Sequence, residues 1–164
     1  MADPRADNRL KQVPTLVETE AGWELQGFVP LATAWNYPWV KDKKAFIYAF
    51  SHKDITKIGR SSCPEKRLEA IKLQWKAPDL KLVHAVEVPY AGSIYAERVM
   101  HLEFEEMELS REWFHLPPQE FIDFAPYVEI GAKLYDDACR RWYEEAHPEG
   151  DSWYASPITQ AETA

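Results

Sequence analysis

Cysteine is scarce in this chain. There are two in 164 residues, Cys63 and Cys139, far apart and at no zinc or redox spacing. That excludes a disulfide framework and a cysteine metal knuckle, and it suits a reduced compartment, cytoplasmic or nuclear. Glycine is scarce too, at six residues, and there is no low-complexity tract or internal repeat. No stretch approaches the ~18 consecutive apolar residues of a membrane span, and the polar start MADPRADNR is no secretory signal. What remains is a globular composition, 46% hydrophobic, at a length that accommodates one domain with extensions and a real core. Seven tryptophans and eight tyrosines are many for this length. Most belong in the core, and a few are available as stacking surfaces.

Net charge is −8, which on its own argues against a nucleic-acid partner. Its distribution argues the other way. Between Lys41 and His84 eleven cations face five anions, a local +6. Such asymmetry points to one side that meets a polyanion, although solvated helix faces also carry lysine.

In chain order, residues 1–40 read as an N-terminal extension. Positions 1–22 form a polar, flexible leader. Positions 23–40, interrupted by Pro30 and Pro38, are expected to wrap the core and bury Trp23, Phe28, Trp35 and Trp39. Residues 41–125 read as the main domain, 126–147 as a C-terminal helix packed on it, and 148–164 as a disordered tail. Leu80 to Val88 is a strand with His84 partly buried. Ser62-x-x-Glu65 with Pro64 signals the start of a helix through Trp75, with Leu68, Ile71 and Trp75 at core spacing. Ser93 caps a second helix, on which Glu97 and His101 are four apart and share a side. That pair suits metal binding, proton transfer or a plain surface contact. Pro117-Pro118 opens a short helix through Phe124. Pro126 then starts another, with Tyr127, Ile130, Leu134, Ala138, Trp142 and Tyr143 as its stripe.

The organising stretch is Phe46 to Arg67. Phe46 to Phe50 and Ile55 to Gly59 read as two strands joined by the polar turn Ser51-His52-Lys53-Asp54. A four-residue turn pairs Tyr48 with Lys57 and Phe46 with Gly59. Alternation then puts Tyr48, Lys57 and Gly59 on one face, and Ile47 and Ile58 on the other, where a core forms.

The order Ile47-Tyr48, Lys57-Ile58-Gly59, Arg67, Glu97, His101 and Glu112-Trp113-Phe114 resembles the GIY-YIG endonuclease superfamily. It is most similar to phage-type and fungal branches with a KIG second motif, an AE-x-x-x-H helix and a terminal EWF. The resemblance covers roughly residues 45–116. Phe46 stands where the family has the first glycine, Lys57 stands for the first tyrosine of YIG, and the family asparagine has no match. It implies an α+β fold, a small three-stranded antiparallel sheet flanked by helices. It also implies DNA as partner and hydrolysis of a phosphodiester with one divalent cation, Mg²⁺ (or Mn²⁺).

On that resemblance Glu97 is the metal ligand, and Arg67 holds the phosphate by paired hydrogen bonds. Tyr48 activates or orients the attacking water, and His101 orients Glu97 or shuttles a proton. Gly59 lets the DNA backbone approach, and Arg60 and Lys66 steer it. Lys57, expected opposite Tyr48, is a candidate to lower the phenol pKa and make it a usable base. Two other functions fit the chain: a DNA-binding module without catalysis, and a protein–protein adaptor. Target sequence and oligomeric state are open.

Overall fold

A computed structural model describes residues 13–148. The expected tail at 148–164 and the first half of the leader therefore lie almost wholly outside the described residues. Position 13 onward is not a leader but a β-hairpin, β1 (Thr15–Thr19) paired antiparallel with β2 (Gly22–Gln26). Two single-turn helices follow, α1 (Ala32–Trp35) and α2 (Tyr37–Val40). They bury Leu31, Ala34, Tyr37 and Val40. The tryptophans expected inside stay out: Trp35 and Trp39 are more than half exposed, and Trp23 more than a third. Trp35 instead leans edge-on against Trp142, and Trp23 against Tyr127.

The main sheet is α+β in character and antiparallel, as expected, but it has five strands rather than three, in the order β5-β3-β4-β7-β6. The centre is β3 (Lys44–His52), flanked by β4 (Ile55–Ser61) and β5 (Lys81–Pro89). The two extra strands are β6 (Glu108–Ser110) and β7 (Trp113–Phe114). They form a small hairpin whose strand pairing with β4 is confined to Thr56 and Lys57.

The hairpin register differs by two residues from the expected one. Tyr48 faces Gly59, Phe50 faces Lys57 and His52 faces Ile55. The cause is the turn. Ser51 and His52 continue the strand, and Lys53-Asp54 alone make the reversal, with Lys53 at φ 53°. Two-residue hairpin turns use positive φ at their first position. A shift of two keeps side-chain parity, so Tyr48, Lys57 and Gly59 still share one face.

Each face of the sheet has its own core. On one, Ile47, Ala49 and Ile58 pack with Met100 of α4 (Ser93–Glu103) and with Phe121, Ala125 and Val128 of α5 (Pro118–Ala146). On the other, Tyr48 and Phe50 pack with Ile71 of α3 (Pro64–Trp75), Ala77 and Leu80. α3 is capped by Cys63 and not by Ser62. Pro64 opens its first turn, and the Cys63 amide donates to Ser61 Oγ at 3.0 Å. Ile71 is buried, but Trp75 at the end of the same stripe is exposed.

α5 runs unbroken for 29 residues through Pro126. A proline inside a helix forfeits one backbone hydrogen bond. The continuous seam of Phe121, Ala125, Val128, Ala132, Tyr135, Cys139 and Tyr143 offsets it, since all seven are buried at helical spacing. That seam, rather than the stripe beginning at Tyr127, holds α5 to the sheet and to α1 and α2. His84 sits partly buried in β5, edge-on to Phe121, as its place in the strand requires. Among the described residues no helix is long and apolar enough to cross a membrane.

Candidate functional site

The outer edge of β4 is paired at Thr56 and Lys57 only. One residue further on, both backbone groups of Ile58 are taken by other elements. Its amide donates to the carbonyl of Glu112 at 2.8 Å, and its carbonyl accepts from Nε2 of His101 at 2.9 Å. From Gly59 to Ser61 the edge has no neighbouring strand among the described residues. The expected site residues gather around this open end, some on each face of the sheet.

On the α3 face lies Tyr48, 1% exposed, its ring stacked on Phe50 with centroids 4.0 Å apart. Its hydroxyl end lies over Gly59, where a Cβ would come within 2.3 Å of the oxygen. The close approach that Gly59 permits on this face is that of Tyr48. Arg67, on the first turns of α3, lies close enough to act on the Tyr48 hydroxyl. Burial pushes the Tyr48 pKa up to about 12. Arg67 pulls it down, while the negative charges of Glu112 and Glu97 add to the rise.

On the α4 face Glu97 and His101 project from one side of the helix. The His101 ring donates from Nε2, so in its neutral form the lone pair is on Nδ1. The Glu97 carboxyl is shifted upward by burial, with Glu112 adding to the rise. His101, Arg60 and Lys57 work against it. Arg60 Nε is 4.0 Å from Glu97, beyond hydrogen-bond distance. Its guanidinium is held instead by Ser93 Oγ at 3.1 Å and lies over the Tyr90 ring.

Lys57 and Glu112 close the end between the two faces. Lys57 is 7% exposed and donates to the Glu112 carboxylate. Its charge is therefore directed at Glu112, and among the groups that act on Tyr48 the cation is Arg67, not Lys57. The expectation that Lys57 tunes the phenol rested on the shifted register and does not survive it. Glu112, the first residue of the EWF motif, touches the site three ways. Its carbonyl pins Ile58, its carboxylate takes Lys57, and its charge reaches both Tyr48 and Glu97. It does so from φ 64°, a left-handed conformation that costs a non-glycine residue about 1–3 kcal/mol and that concentrates at functional sites. Lys66 is exposed on the outer side of α3.

Among the described residues no group of three or more His, Cys, Asp or Glu stands ready to hold a metal ion. A cation here would rest on one or two carboxylates with water and substrate oxygens, which is how Mg²⁺ is commonly held. Glu97 fits that role. It is a hard oxygen donor, three-quarters withdrawn from solvent, and its nearest guanidinium is too far to satisfy it.

The T5orf172 domain matches residues 45–129, a span that contains every member of this cluster. The chain belongs to the T5orf172 domain family. The T5orf172 domain is found in phage and in fungal and bacterial homing-endonuclease-like proteins, which suggests a nuclease-like or DNA-binding role. No curated protein and no solved structure matches the chain.

Proposed function

We propose that this T5orf172 protein is a divalent-metal-dependent DNA endonuclease of GIY-YIG type that hydrolyses phosphodiester bonds. The observation that carries the reading is the convergence of Tyr48, Arg67, Glu97, His101 and Glu112 on the open edge of β4. An open strand edge next to a guanidinium and a partly buried carboxylate is a place where a phosphate can settle. Arg67 presents a planar fork of donors to the phosphate oxygens. A Tyr48 pKa of about 12 leaves only about one phenol in 10⁵ ionised at neutral pH. Tyr48 therefore acts as a fixed hydroxyl that orients the attacking water, not as a free base. Glu97 is the residue that would hold Mg²⁺ or Mn²⁺. Bound there, the cation supplies Lewis-acid neutralisation of charge on the phosphate and leaving oxygen. His101, anchored through Nε2 to Ile58, keeps Nδ1 for orienting Glu97 or moving a proton.

The local +6 between Lys41 and His84 supports a polyanionic substrate. Incubation of supercoiled plasmid with the purified full chain tests the reading. Nicked or linear product with Mg²⁺ or Mn²⁺, and none with EDTA, is the expected result. Plasmid that is bound in a salt-sensitive way but never cut would reduce the function to DNA binding. Plasmid neither bound nor cut would point to an adaptor role.

A further inference from the structure

Two tryptophans lie beside the cluster, Trp113 packed against the core under α3 and Trp75 outside it. Trp75, the last residue of α3, is 58% exposed, although its spacing from Leu68 and Ile71 follows the core-facing stripe. Trp113 of β7 is half-buried next to Glu112, with its ring 5.7 Å from Lys57 Nζ. The two indoles meet edge to face, centroids 5.9 Å apart at 70°. Trp113 is thus fixed by the lysine and by β-pairing, and it steadies Trp75, which faces solvent. Lys76 ends α3 at φ 50°, and the Ala77 amide closes the last turn on Lys72 at 3.0 Å, so Trp75 stands on a capped helix end.

We infer that Trp75, backed by Trp113, is a stacking subsite for an unpaired nucleobase, so that the preferred substrate is DNA with a single-stranded or unpaired position next to the phosphate site. This rests on the reading of the cluster as a DNA site. The charge around it is of the right sign, since α3 and its cap carry Lys66, Arg67, Lys72 and Lys76 against Glu65 and Glu69. The spacing also suits a strand. Eight helical residues separate Arg67 from Trp75, about 12 Å at 1.5 Å per residue. That spans three to four nucleotides at about 3.4 Å each. A base inside a duplex has both π-faces covered by its neighbours, whereas an unpaired base can lay one on an exposed indole, and such stacking tolerates any sequence.

The test uses the full chain in EDTA at low salt, so that cleavage plays no part. Two labelled duplexes are compared, one fully paired and one with a single unpaired 2-aminopurine near its centre. Binding is read by anisotropy, and stacking by quenching of the 2-aminopurine. Wild type is expected to favour the unpaired duplex by roughly tenfold and to quench the probe. Trp75→Ala should erase both effects while binding the paired duplex as before, and Trp75→Phe, which keeps a ring, should restore most of each. An unchanged preference or unchanged quenching in Trp75→Ala would overturn the subsite and leave the patch to a protein partner. Wild type that binds neither duplex would overturn the subsite together with the DNA reading. A Trp75-dependent preference in a protein that never cuts plasmid would uphold the subsite and overturn only the nuclease.

Discussion

Tyr48 and Tyr95 are built into the molecule by the same device and serve different ends. Each is 1% exposed or less, and each stacks on a neighbouring ring, Phe50 for Tyr48 and Tyr135 for Tyr95. Each sets its hydroxyl against a glycine, Gly59 for Tyr48 and Gly131 for Tyr95, where a Cβ would fall 2.3 and 2.5 Å from the oxygen. Burial raises both phenols. The difference lies in what surrounds them. Tyr95 has another tyrosine as its electrostatic neighbour, whereas Tyr48 has the Arg67 cation and two carboxylates acting on it. Packing under a glycine is thus a way of locking a tyrosine in place. The charges arranged around the lock separate a core residue from a candidate site residue.

The most severe way to strip that surrounding is Glu97→Gln. It keeps the shape, removes the carboxylate, and should reduce plasmid cleavage to background while most DNA affinity remains. The same substitution should stabilise the fold. The Glu97 pKa is raised in the folded state, so the folded protein holds the proton more tightly than the unfolded chain. Stability therefore falls as pH rises from the ordinary value of 4.5 through the folded value. Removing the charge deletes that loss, and melting curves at pH 4 and pH 7 should show Glu97→Gln gaining on wild type only at the higher pH.

Adding a methyl at the two glycines tests the lock directly. Gly59→Ala should displace the Tyr48 hydroxyl and lower the cleavage rate by roughly 10²-fold or more, with about 1–3 kcal/mol lost from overpacking. Gly131→Ala meets Tyr95 in the same way but lies within α5, where alanine returns about 1 kcal/mol of helix propensity. Its melting temperature should fall less and its cleavage rate should hold. Arg67→Lys keeps the charge and loses the fork. A rate loss of about 10²-fold with modest loss of binding is expected, and an equal fall in both would make Arg67 a general anchor. The smallest effect belongs to Lys57→Met. It frees a Glu112 carboxylate that water already reaches, so the rate should fall about tenfold or less. The pH–rate profile should stay where it is, because Lys57 does not act on Tyr48. A shift of the alkaline limb to higher pH would revive the tuning role.

Much of this site was legible in the residues, and the parts that were not have physical causes. Parity along β3 and β4 put Tyr48, Lys57 and Gly59 on one face, because alternation survives any even shift of register. The register itself depended on a turn with no glycine or asparagine to mark it, so Ser51 and His52 read as loop although they extend the strand. Pro126 reads as a helix boundary by its chemistry. It is overridden by a seam of seven buried side chains that no local signal reveals. Glu112 was visible as a letter of a motif, but its left-handed backbone and its grip on Ile58 exist only in three dimensions. Trp75 fell at core spacing, yet as the last residue of α3 it is more than half exposed, its ring against Trp113.

The central claim is that charge around Tyr48, not its burial, makes it part of a nuclease site. The most direct test compares Tyr48→Phe with Tyr95→Phe in one plasmid assay, each with Mg²⁺ and with EDTA, alongside their melting temperatures. Both variants should stay folded. Tyr95→Phe should cut in Mg²⁺ at close to the wild-type rate, and Tyr48→Phe should lose roughly 10²-fold or more. Cleavage by Tyr48→Phe at the wild-type rate, or an equal loss in both variants, would contradict the account.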